Sequence, residues 1–150
     1  MKVIYHDKTG RHLSVVAAAL HLRLIDKNIS RWDLEQLPYF LNTQPPGTLI
    51  YIGLDFRGNE IYVLGRKNSF QVIRNAYLGL NRVFQLNNSF LFANVQPLSN
   101  LSLGIFDFLN SNPEKEIKYP ELLHRGIQKA IPKLVLLVKE VQRRINEGRK

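Results

Sequence analysis

Residues 6 to 14 bring together His6, Asp7, Lys8, Thr9, Gly10, Arg11, His12 and Ser14, with only Leu13 apolar among them. An apolar run, Val3 to Tyr5, precedes this stretch, and a longer one, Leu13 to Ile25, follows it. A buried strand that turns through a glycine into a helix aims the unpaired N–H groups of the first helical turn, and the positive end of the helix dipole, at one point. That arrangement receives anions. Lys8, Thr9, Arg11, His12 and Ser14 are all able to donate to one.

A second segment of the same kind is Gly65, Arg66, Lys67, Asn68 and Ser69, between an apolar run and a helical pattern. If the two preceding strands run parallel, both turns open at one sheet edge, where open α/β folds bind ligands. Arg66, with its planar fork of donors, is then the anion clamp. Asn94 ends a third apolar run before the polar residues Gln96, Ser99 and Asn100, and it is expected to line the same cleft.

Several chemistries lack their residues. A full nucleoside-triphosphate loop needs spaced glycines followed by Lys and Ser or Thr, whereas this loop has Gly10 alone. The feature is P-loop-like in its order of strand, loop and helix only. The chain has no cysteine, which removes thiolate nucleophiles, iron–sulfur clusters and disulfides. The spacing of His6, Asp7 and His12 fits no metal motif, His21 reads as a core histidine, and no nucleophile-elbow pattern is present, so neither a metal nor a catalytic residue is assigned.

These residues must be held by elements that the hydrophobic periodicity outlines. Ser30 with Asp33 forms a capping-box pattern before a short helix that Pro38 stops. Leu49 to Asp55 and Glu60 to Leu64 read as a hairpin around Phe56 to Asn59. Asn68 or Ser69 caps a helix through Phe70, Ile73, Tyr77 and Leu80, in which Gly79 suggests a close approach of another element. Phe90 to Val95 reads as a strand, and Ser99 or Asn100 caps the next helix, which Asn110 to Pro113 ends. Glu121 to His124 is expected to form a short strand, Pro132 to lie in the first turn or at a kink of the last helix, and residues 146–150 to fray. The alternation predicts one layered α/β domain over residues 1–150, with a mixed, mostly parallel sheet flanked by helices.

Composition agrees with a globular chain of ordinary domain size: 150 residues, 45% hydrophobic and 22% charged. The net charge is +9, and residues 113–150 carry the largest share, with their basic residues interleaved with glutamates as on a solvated helix face. The N-terminus shows no signal-peptide pattern, and Leu13 to Ile25 is interrupted by His21 and Arg23, so a cytoplasmic location without membrane contact is expected.

The run Ile4, Tyr5, His6, then Gly10, Arg11, His12, Leu13, Ser14 and Ala17 to Leu22 resembles the start of a family of short bacterial proteins, mostly from spore-forming Firmicutes, catalogued as domain of unknown function 3189. Leu37 to Phe40, Ile50 to Gly53, Tyr62 to Arg66 and Gly126 to Pro132 extend the likeness along almost the whole chain. The family's loop usually carries a paired glycine, and a His followed by two small hydroxyl residues. Here Thr9 and Leu13 stand at two of those positions, and Asp7 is not the family's usual residue. The resemblance implies an α/β fold and cleft residues His12, Ser14, Gly65 and Arg66; it supplies no activity.

Two readings follow. In one, a degenerate phosphate-loop-like cleft of Lys8, Thr9, Gly10, Arg11, His12, Ser14, Gly65, Arg66 and Asn94 binds a nucleotide or a phosphorylated small molecule. In the other, a non-catalytic interaction module docks nucleic acid or an acidic protein through its basic C-terminal helix.

Overall fold

The computed structural model describes residues 1–42, 44–86, 88–110 and 120–148. Its centre is β1 (Lys2–Asp7), in which Val3, Ile4 and Tyr5 are fully buried. Strand β2 (Leu49–Leu54) and strand β3 (Glu60–Gly65) form an antiparallel hairpin, and β4 (Phe90–Asn94) completes a sheet of order β2-β3-β1-β4. β1 runs parallel to both neighbours, His6 standing beside Leu64 on one side and Asn94 on the other. The mixed, mostly parallel α/β sheet is therefore as the alternation predicts, and three strands end flush at one edge.

Neighbouring residues of a strand point to opposite faces. Tyr5 meets His21 of α1 (Leu13–His21), while His6 stacks on Phe70 of α3 (Phe70–Val83), so these helices cover opposite faces of the sheet. The α1 side holds the larger core, which α5 (Pro120–Glu147) completes through Leu123, Ile127, Leu134, Val138 and Val141. A short helix, α2 (Arg31–Gln36), begins at Ser30 with both halves of the expected capping box formed with Asp33. α4 (Leu101–Leu109) starts where Asn100 accepts from the Leu103 amide, after a 3-10 turn at Gln96–Leu98.

Four expectations are corrected. α1 ends at His21 rather than Ile25, because Arg23 turns left-handed (φ 57°) and the Arg23 and Leu24 amides return to the Leu20 and Ala19 carbonyls. This is a Schellman end in which arginine takes the place usually held by glycine. Glu121 to His124 is the first turn of α5, not a strand, since the buried stripe begins at Leu123 and continues past Pro132, which lies inside the helix. The punctuation at Gly126 has a packing cause: a Cβ there would stand 2.6 Å from Leu103 Cγ. Residues 146 and 147 belong to α5, where Arg143 pairs with Glu147; residues 111–113 and 149–150 lie outside the described residues.

Gly79 is the fourth. A Cβ placed on it meets nothing within 4 Å, so no close approach explains it. Gly79→Ala is therefore expected to stabilise the protein by about 0.5–1 kcal/mol, the ordinary helix-interior difference, read as a higher urea midpoint with an unchanged m-value. No helix among the described residues is long and apolar enough to cross a membrane.

Candidate functional site

The chain leaves β1 at Asp7 and folds its loop down onto β3. Arg66 donates its amide to the Asp7 carbonyl and Lys67 to the Lys8 carbonyl, at 3.0 and 2.9 Å. Gly10 (φ +71°) lies so close to Gly65 that a Cβ on it would be 2.4 Å from the Gly65 nitrogen. The loop therefore sits against the end of β3, and the two glycines are what allows it.

The Asp7 side chain then turns back into its own loop. One carboxylate oxygen accepts from the Thr9 amide (2.9 Å), the Thr9 hydroxyl (3.2 Å) and the Gly10 amide (2.6 Å), and the other from the Ser14 amide at 3.3 Å. These include the donors that the sequence offers to a ligand. A carboxylate of the chain itself occupies them, and the reason is local: the Thr9 and Gly10 amides lie only two and three residues after Asp7, so its side chain reaches them at little entropic cost, and the loop brings the Ser14 amide of the first helical turn to its other oxygen. Burial raises the Asp7 pKa, against the lowering effect of these bonds.

Beside this closed loop, α4 walls a small pocket of about 190 Å³. Asp7, Lys8, Thr9, Arg11 and His12 line it from the loop, and Gln96, Ser99, Leu103 and Asp107 from the other side. Gln96 holds the loop by accepting from the Lys8 amide at 2.8 Å. Arg11 and His12 each stand 3.8 Å from Asp107 Oδ1. His12 has a strained backbone (φ 51°, ψ −98°) and its ring lies edge-on between Phe40 and Phe106. Ser14 is fully buried and donates its hydroxyl to the Arg11 carbonyl, so it fastens the helix start rather than facing the pocket.

Arg66 and Asn94 stand elsewhere. Arg66 follows Gly65 onto the α3 face, where it donates to His6 Nδ1 (3.0 Å), the Lys67 carbonyl (3.0 Å) and Asn94 Oδ1 (3.3 Å), with its guanidinium over Phe70. It does not line the pocket that holds His12, which separates two groups the sequence reading puts in one cleft. The strand ends do meet at one edge, but the alternation of faces sends Asp7 and Arg66 to opposite sides of it. His21 is a buried core histidine, bonded to the Tyr5 hydroxyl at 2.8 Å and 3.4 Å from Asp55. Asp107 is the residue that the sequence reading misses; its signal is a single acid within the otherwise uncharged helix LSLGIFDFL.

A family profile described as "Protein of unknown function (DUF3189)" matches residues 2–143. The chain belongs to that family. The match spans all four strands and every residue lining the pocket. No curated protein and no solved structure matches the chain significantly. Among the described residues no group of three or more His, Cys, Asp or Glu is placed to hold a metal ion.

Both histidines near this edge are held neutral. Burial, then the Arg11 charge, pushes His12 down to about 3, and burial, then the Arg66 charge, pushes His6 down to about 4. Each folded value lies below the unfolded one near 6.5, so the unfolded chain takes up protons first as pH falls. Their contribution to stability is whole above about pH 7 and is lost as pH drops from there through 4 and 3. Asp7 and Asp107, whose pKa values are raised, work in the opposite sense. The histidine part is thus read as a difference: urea denaturation at pH 7.5, 5.5 and 4.5 is expected to give a shallower acid loss in His12→Asn than in the unsubstituted protein.

Proposed function

We propose that the pocket between the β1–α1 loop and α4 binds a small phosphorylated molecule. The observation that carries this is the placing of two cationic side chains, Lys8 and Arg11, around a concave site at the carboxyl ends of parallel strands, beside the point where connections from β1 and β3 depart to opposite faces. Thr9, Gln96 and Ser99 add hydroxyl and amide groups on the same walls. With the loop amides engaged by Asp7, side chains rather than backbone hold the phosphate. A volume of about 190 Å³ suits a phosphate on a short skeleton; a nucleotide would leave its base outside.

The rival reading, docking of nucleic acid or an acidic protein on the last helix, draws less support. Arg143 and Arg144 bond Glu140 on the same helix surface, and Arg143 also pairs with Glu147, which lowers the charge available to a polyanion.

Thermal unfolding with inorganic phosphate, short phosphate esters and nucleotides tests the proposal. A ligand at about 100 times its Kd stabilises by about 2.7 kcal/mol, a rise in Tm of several degrees for a chain of this size. The expected result is such a rise with a phosphate ester, abolished in Lys8→Ala combined with Arg11→Gln. An equal rise in that double variant, or no rise in the unsubstituted protein with any of these compounds, overturns it.

A further inference from the structure

The charges lining the pocket come in both signs. Lys8 and Arg11 are matched by Asp7 and Asp107, while His12 is neutral at physiological pH. A site built for a bare phosphate has no use for two carboxylates, since like charges repel across a small volume and each lowers the affinity of an anion. The carboxylates are not equivalent. Asp7 is committed to its own loop through four hydrogen bonds. Asp107 is not: its Oδ1 is cut off from solvent and accepts no hydrogen bond, with the Arg11 guanidinium and the neutral His12 ring each 3.8 Å away.

A buried acceptor without a donor is uncommon in folded proteins, because it forfeits hydration with nothing in return. Here it belongs to a residue that lines a pocket, and the Asp107 side chain as a whole is 42% exposed. Oδ1 itself is out of reach from the pocket, so a ligand's donor meets the exposed part of the carboxyl group. We infer that the pocket selects a zwitterion, a short phosphate ester that also bears an ammonium group, with the phosphate toward Lys8 and Arg11 and the ammonium toward Asp107, which acts as the specificity-determining residue. This rests on the phosphate reading above and narrows it to a substrate class.

Isothermal titration with O-phosphoethanolamine and ethyl phosphate tests it, since the two differ by the ammonium group alone. The unsubstituted protein is expected to bind O-phosphoethanolamine at least about tenfold more tightly, a difference of about 1.4 kcal/mol. In Asp107→Asn, which keeps the shape and removes the charge, the two esters are expected to bind alike. Equal affinities in the unsubstituted protein, or a preference that survives Asp107→Asn while its Tm stays unchanged, overturn the inference and leave the phosphate reading standing. Binding of neither ester overturns both.

Discussion

Gly10→Ala is expected to cost about 3–5 kcal/mol, a large part of the 5–15 kcal/mol by which a domain of this kind is stable. Two separate causes add. The residue holds φ +71°, which an L side chain tolerates poorly, and its new Cβ would lie 2.4 Å from the Gly65 nitrogen and 2.7 Å from its Cα. Both obstacles are backbone atoms at the end of a paired strand and have nowhere to go. Two companion substitutions separate the causes. Gly58 has a similar φ of +74° with nothing within 4 Å of a Cβ, so Gly58→Ala feels the backbone strain alone, about 1 kcal/mol. Gly65 has no positive φ, but its Cβ would come within 2.6 Å of the Thr9 carbonyl oxygen, so Gly65→Ala feels the contact alone, about 1–3 kcal/mol. Urea denaturation of the three variants should rank Gly10→Ala as the most damaging. A Gly10→Ala midpoint no lower than that of Gly58→Ala would contradict the close packing of the loop on β3.

Asp7→Ala is the second large effect, about 3 kcal/mol. It leaves the buried amides of Thr9, Gly10 and Ser14 without their acceptor, and each such loss costs about 1–3 kcal/mol, offset in part because a carboxylate no longer has to be buried. Asp7→Asn should fall between the two. Its single carbonyl oxygen can still serve Thr9 and Gly10, but its NH2 group then faces the Ser14 amide, donor against donor. Hydrogen exchange adds a local readout. The amides of residues 9, 10 and 14 should lose protection in Asp7→Ala well beyond the change in global stability, and equal protection in the two proteins would mean that the carboxylate does not hold the loop.

Much of the frame was legible in the residues. Alternating apolar runs and capping residues mark all four strands within a residue or two, because strand and cap chemistry are local. Ser30, Asp33 and Asn100 act where their side chains said they would. Punctuation in the chain is overridden where tertiary contact demands it. Gly126 and Pro132 look like breaks, yet both lie within one 28-residue helix, Gly126 because Leu103 needs the space. At the site, the loop Lys8 to Ser14 was found by its composition, and part of its neighbour wall was visible in Gln96 and Ser99. Two things were not. That Asp7 answers its own amides depends on a side-chain rotamer, and that Asp107 comes to face Arg11 depends on α4 crossing α5; neither is written in spacing along the chain.

The placing of β1 bears on how the protein is made. It precedes the other three strands in the chain, yet it lies in the middle of the sheet, and its partners arrive late: Lys2 pairs with Glu60 on one side and Phe90 on the other. A sheet with β1 inside it cannot assemble until β4 at Phe90–Asn94 exists, so β1, with its fully buried Val3, Ile4 and Tyr5, waits without a partner until β3 is made and with one edge open until β4 is. Parallel ladders closed over such separations form slowly, because the entropy of loop closure is lost before the contacts that reward it are made.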